Sequence, residues 1–240
     1  MTRKEAAGLL AVVAGSLGWC VALGTLVGGD PMLAVEVAGS TLAVLWTVMV
    51  ARELVRSEGL SSLLAGDAQE TSMFGVPVCV TRALAMDAIV VGSIRPVIYV
   101  GADLLAALSD DELQAVVLHE DHHRRTRAPI RAAALGAWLR LVGRSDRVRS
   151  VLIDRLSDLE ALADADAIRR GSSPQSLARA LLKGEPSLQR VSFTHVSERR
   201  IEQLLDRAAG DPVKAAGRLP YEWLPVLLLT VATLGCHAGL

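Results

Sequence analysis

Three of the five histidines in this 240-residue chain fall in one pentapeptide, His119-Glu120-Asp121-His122-His123. His119 and His123 are four positions apart, so on an α-helix both imidazoles leave the same face and can meet one metal ion. With Glu120 next to His119 this is the H-E-x-x-H arrangement. In it the two histidines ligate zinc, and the glutamate takes a proton from the zinc-bound water that attacks a peptide carbonyl. A charged cluster on a helix surface is the competing origin of such a pattern, but the four residues ahead of it, 115–118, are apolar. His122 can compete for the metal or face solvent, and the solvent-facing arrangement is expected.

A catalytic zinc needs a third protein ligand and an open position. Residues 160–164, Glu-Ala-Leu-Ala-Asp, put two carboxylates on one helical face among Leu159, Leu162 and Ile168. Half-buried carboxylates require partners. Glu160 is the candidate third ligand. Asp164 is the candidate acceptor from the far nitrogen of a ligating histidine, which would fix its tautomer. The alternative is a solvated acidic face balanced by Arg155 and Arg169, with Asp158 and Asp166 as weaker metal candidates.

The elements that must position these groups are legible. Ser109-Asp110-Asp111-Glu112 is a capping box, so a helix starts there and carries the histidines to about Arg125. Pro129 opens the next helical stretch. Further helices are expected at 146–170, 174–183 and 197–209, stopped by Gly171, Gly184 and Gly210. Upstream, 57–75 is rich in Ser and Gly and reads as a linker. The β-branched runs 76–80, 88–91 and 96–100 read as a small antiparallel sheet.

Charge excludes an electrostatic nucleic-acid binder: 25 Lys and Arg stand against 26 Asp and Glu, a net charge of −1. Hydrophobic residues make up 51 % of the chain, and they are concentrated. Between Lys4 and Arg52 there is no Lys or Arg, and from Trp223 onward no charged residue. Runs 6–27 and 32–51 approach the roughly 20 residues that cross a bilayer as a helix, and Gly28-Gly29-Asp30-Pro31 breaks them into a hairpin. A third run, 223–237, has Tyr221 and Trp223 at its edge. A cleaved signal peptide is the other reading of the first run, but no cleavage site precedes a polar region. Arg3, Lys4, Arg52 and Arg56 flank the hairpin, which places both its ends and the middle of the chain on the cytoplasmic side. The expected organisation is a transmembrane hairpin at 1–56, a cytoplasmic domain at 57–220 and a C-terminal transmembrane helix at 221–240, in the cell membrane. Cys20, Cys79 and Cys236 are too scattered for a disulfide framework. The segment 128–142, apolar but holding Arg131 and Arg140, can dip into a membrane or pack on the sheet.

These residues resemble the BlaR/MecR antirepressor type of membrane zinc peptidase, gluzincins with H-E-x-x-H and a later E-x-x-x-D. Residues 88–98 are similar to that family's strand pair with its Gly-x-x-Arg-Pro turn, here Gly92 to Pro96. Residues 110–118 resemble its approach to the zinc helix, and 198–205 its later Arg-Ile-x-x-Leu-Leu helix. The likeness spans roughly 76–205. It implies an α+β membrane protein: a mainly helical, zincin-like cytoplasmic domain with a small antiparallel sheet, plus three transmembrane helices.

The resemblance further implies a zinc endopeptidase with one Zn2+, bound by His119, His123 and Glu160. Glu120 would be its general base and Asp164 its supporting carboxylate. The implied partners are the lipid bilayer and a protein substrate, a winged-helix transcriptional repressor. Arg200 matches the family's Arg and can clamp substrate or pair with Glu198 or Glu202. His195 matches a transition-state hydrogen-bond donor of the related HtpX-type peptidases, or else caps the helix that follows it. No penicillin-binding sensor like that of the large members is expected, and the chain departs from the family in having Thr126-Arg127-Ala128 where an Asp commonly follows the second ligand. An HtpX-like quality-control protease shares the zinc motifs, although Arg95-Pro96 favours the first family. A non-catalytic membrane scaffold with structural zinc has no use for Glu120.

Overall fold

A computed structural model describes residues 31–142 and 146–184, together with Leu204. The chain enters on a long helix, α1 (Pro31–Leu64), followed by four strands, β1 (Gln69–Met73), β2 (Val76–Thr81), β3 (Ala88–Val91) and β4 (Val97–Gly101). Five helices complete the described part: α2 (Ala102–Ala107), α3 (Asp110–Arg125), α4 (Ala128–Val142), α5 (Asp146–Arg169) and α6 (Pro174–Lys183).

The sheet is mixed, in the order β1-β2-β4-β3, which corrects the expected antiparallel arrangement. β1 and β2 form an antiparallel hairpin through Phe74 and Gly75, both at positive φ, 52° and 76°. Two central residues at positive φ match the right-handed twist of the flanking strands. The chain then passes over the end of β4, so β3 becomes the far edge, and β4 returns between β3 and β2. It is antiparallel to β3 (Val91↔Val97) and parallel to β2 (Cys79↔Tyr99). Gly101 makes that crossing possible, since a Cβ there would lie 2.0 Å from the Ala85 carbonyl oxygen. β1 and the last two turns of α1 occupy the segment expected to be a linker.

Strand alternation divides the two faces of the sheet. Ile98 and Val100 of β4 join Val76 and Val78 against Leu113, Val117 and Leu118 of α3, with Leu177 of α6 and Leu204 closing that core. Tyr99, Ile89 and Val91 face the other way, onto Leu60 and Leu64 at the end of α1. The sheet therefore presents α3 on one side and is anchored by α1 on the other.

Among the described residues no helix is long and apolar enough to cross a membrane. This corrects the expected span at 32–51, and with it the membrane-protein fold class and the multi-pass placement in the cell membrane. The physical reason lies in α1 itself. Ala43, Val44 and Trp46 are buried, and Trp46 packs on Ala134 and Ala137 of α4, its indole Nε1 donating to the Ala134 carbonyl at 3.1 Å. Beyond Ala51 the same unbroken helix carries Arg52, Glu53, Arg56 and Glu58, and Glu53 pairs with Arg140 of α4. Part of its apolar surface is taken up by a helix–helix contact within the chain. The expected runs 6–27 and 223–237 lie outside the described residues.

α4 packs between α1 and α5, with Leu135 on Leu156 and Leu159, rather than lying on the sheet. Helices α5 and α6 occupy the ranges that Gly171 and Gly184 delimit.

Candidate metal centre

Helix α3 begins where its sequence says it must. The Ser109 hydroxyl accepts from the Glu112 amide, and the Glu112 carboxylate accepts from the Ser109 amide at 2.9 Å. Asp110, Asp111 and Glu112 in the first turn and Arg124 and Arg125 in the last complement the helix dipole. The buried Glu112 also receives Lys183 Nζ at 2.7 Å, which pins α6 to the start of α3. That bond, with the Ser109 amide, holds its carboxyl below the ordinary carboxylate value.

Two turns further on, His119 and His123 stand on one face, their rings edge to face with centroids 4.7 Å apart and their Nε2 atoms 3.0 Å apart. Helix α5 lies across them. Its small residues Ala163 and Ala167 are fully buried, as is Ala115 of α3, so the two backbones approach closely enough for short carboxylates to reach the imidazoles. Glu160 spans both rings: Oε2 lies 3.4 Å from His119 Nε2 and Oε1 3.4 Å from His123 Nε2. Asp164, one turn on and 2 % exposed, places Oδ1 2.7 Å from His119 Nδ1.

The tautomer follows. An ionised carboxylate only accepts, so Asp164 fixes the proton of a neutral His119 on Nδ1 and leaves the Nε2 lone pair facing His123 and Glu160. The ligand atoms of His119, His123 and Glu160 all lie within 4.8 Å of one another. Bonds of about 2.0–2.1 Å in a tetrahedron put ligand atoms about 3.3 Å apart. The observed separations of 3.0 and 3.4 Å therefore fit a zinc-sized ion. Two nitrogen donors and one carboxylate are also a donor set that zinc accepts while keeping one position open. His123 Nδ1 is buried and has no hydrogen-bond partner among the described residues. Glu120, on the same helix, is 5 % exposed.

The structure thus brings together His119, His123, Glu160 and Asp164. His195 and Arg200 lie outside the described residues, as does the expected helix at 197–209 apart from the buried Leu204. Asp158 pairs with Arg155, away from the three-ligand group. His122 does not face solvent as expected: its side chain is 14 % exposed and its Nδ1 lies 3.4 Å from Asp166 Oδ2. Burial pushes its pKa down, more than Asp166 raises it.

Sequence reasoning overlooked a second polar cluster beside the first. Asp121, inside the histidine motif and 2 % exposed, receives Arg124, Arg125 and, from just past the end of α5, Arg170. Asp166 receives Arg125 and Arg169. Burial acts to raise the carboxyl of Asp121, but the bonds from Arg124 and Arg170 outweigh it and hold it below the usual value. Asp166 is likewise lowered: burial opposes, and Arg169 and Arg125 prevail. Four arginines near two aspartates, at 124–125 and 169–170, were the available signal.

No family model, no curated protein and no solved structure matches this chain. The functional reading rests on the geometry of the site and on the motif resemblance.

Proposed function

We propose that the chain is a zinc-dependent endopeptidase of the BlaR/MecR-like type, hydrolysing peptide bonds of a protein substrate. The observation that carries this reading is the convergence of His119, His123 and Glu160 on one point, with His119 oriented by the buried Asp164. Those three residues would hold the ion. When bound there, zinc polarises a substrate carbonyl and lowers the pKa of water.

The chain's own residues do the rest. Glu120 accepts a proton from the attacking water as its oxygen bonds to the carbonyl carbon, and returns that proton to the amide nitrogen as the C–N bond breaks. Asp164 keeps His119 in the tautomer that presents Nε2. The near-complete burial of His119 and Asp164 keeps water from competing for that hydrogen bond. A transcriptional repressor is the substrate class that the family resemblance implies, and by that resemblance His195 would serve as a transition-state hydrogen-bond donor and Arg200 as a clamp on the substrate.

The test is cleavage of casein or of the chain itself by purified wild type and Glu120→Gln, with zinc content measured on both. The reading predicts that Glu120→Gln keeps its metal and loses cleavage by at least about 100-fold. Cleavage at the wild-type rate by a zinc-loaded Glu120→Gln would remove the peptidase mechanism.

A further inference from the structure

Resting on the metal-site reading above, we propose that Asp121 is a positioning residue, which through Arg170 and Arg125 locks the register of α5 against α3 and so sets where Glu160 stands relative to His119 and His123. Asp121 is two positions from each histidine, on the opposite side of α3. It follows Glu120 in the motif, points away from the histidine face and is 2 % exposed. A carboxylate so buried persists only if its lone pairs are filled.

They are filled from both helices. Arg124 contributes Nε at 3.0 Å and Nη2 at 2.7 Å, and Arg125 contributes Nε at 3.0 Å, all from α3. Arg170 contributes Nη1 at 2.7 Å from the residue following α5. Arg125 then reaches across to Asp166 of α5, which also holds Arg169, while Arg170 Nη1 lies 4.0 Å from Asp166. The two helices are therefore cross-linked twice by guanidinium–carboxylate contacts in addition to the His119–Asp164 bond. These contacts are directional, because a planar fork meets a planar carboxylate in few orientations.

Register matters at this site for a simple reason. Glu160 belongs to the helix that Arg170 and Asp166 tether, and a helix is stiff along its axis. A slip of one residue moves its carboxylate by about 1.5 Å, whereas metal–ligand distances tolerate about 0.2 Å. Ala115 of α3 and Ala163 and Ala167 of α5 are fully buried, and side chains this small allow close approach but interlock little to fix axial position. The ion-pair lattice supplies that constraint.

The experiment measures zinc affinity of the full-length chain by chelator competition for wild type, Arg170→Gln, Arg170→Lys, Glu160→Gln and the Arg170→Gln/Glu160→Gln double variant. Arg170 is the chosen handle because its side chain is 32 % exposed, and Asp121 retains Arg124 and Arg125 when it is removed. Arg170→Gln is expected to weaken zinc about tenfold, the low end of what groups supporting metal ligands contribute. Arg170→Lys should restore part of the loss. In the Glu160→Gln background the same substitution should change affinity less than twofold, because the ligand it positions is gone. The visible absorption of the cobalt-substituted protein should shift in Arg170→Gln, reporting altered coordination. Wild-type affinity in Arg170→Gln, or an equal loss in both backgrounds, would overturn the positioning role while leaving the metal site standing. Failure of wild type to bind zinc would bring down the metal-site reading itself, and this proposal with it.

Discussion

Replacing Asp164 by alanine removes the oxygen that sits 2.7 Å from His119 Nδ1. Asp164 is 2 % exposed and flanked by the fully buried Ala163 and Ala167, so bulk water does not simply take its place. Leaving a buried N–H without its acceptor costs about 1–3 kcal/mol. With about 1.4 kcal/mol per factor of ten, that penalty corresponds to a loss of roughly 10- to 100-fold in zinc affinity, the range expected when a carboxylate supporting a metal-bound histidine is removed. Asp164→Asn retains an acceptor oxygen at similar reach and should lose about tenfold or less. The assay is competition between protein and a chromogenic chelator at pH 7.5, with circular dichroism of the metal-free proteins to verify that the helices persist. The reasoning fails if Asp164→Ala binds zinc within twofold of wild type. It also fails if Asp164→Ala loses metal as completely as His119→Ala, because Asp164 would then be acting as a ligand.

Two further outcomes follow from the fold. The Glu112 carboxyl is held below its ordinary value of 4.5 chiefly by the Lys183 bond, so its contribution to stability is complete above that value and is lost as pH falls through the lowered one. Urea midpoints taken from pH 6 down to pH 3 should fall less steeply for Glu112→Gln than for wild type, and parallel curves would contradict the assignment. Gly101→Ala should destabilise by about 3 kcal/mol, since its new Cβ meets the backbone oxygens of Ala85 and Leu84 rather than a flexible side chain. A urea midpoint unchanged by that substitution would mean the crossing of 84–85 over β4 is not as described.

What could be read from the sequence was what is encoded locally. The capping box at Ser109 and the spacing of His119 and His123 place the helix and its metal face within a stretch of 15 residues, with no knowledge of the rest of the chain. Glu160 and Asp164 were legible as two carboxylates with one helical spacing in apolar company. β1 was not legible, because Gln69-Glu70-Thr71-Ser72-Met73 lies on a sheet edge, exposed except at its end, and shows no apolar alternation. Strand order was hidden for a different reason. The runs identify strands, but the detour of β3 to the far edge depends on the close approach at Gly101, which is a tertiary contact. The apolar run of α1 was misread because hydropathy does not distinguish a face that meets lipid from one that meets α4. Trp46 bonding to the Ala134 carbonyl shows that part of that surface meets α4. The Asp121 lattice was missed because its partner Arg170 is 49 residues away.

We propose that His119, His123 and Glu160 hold one zinc ion. Its most direct test is the zinc content, by inductively coupled plasma mass spectrometry, of the purified full-length chain beside His123→Ala and Glu160→Ala. One zinc per chain is expected in wild type, with loss in both variants after dialysis against a mild chelator. Metal-free wild type, or zinc retained in full by Glu160→Ala, would contradict it.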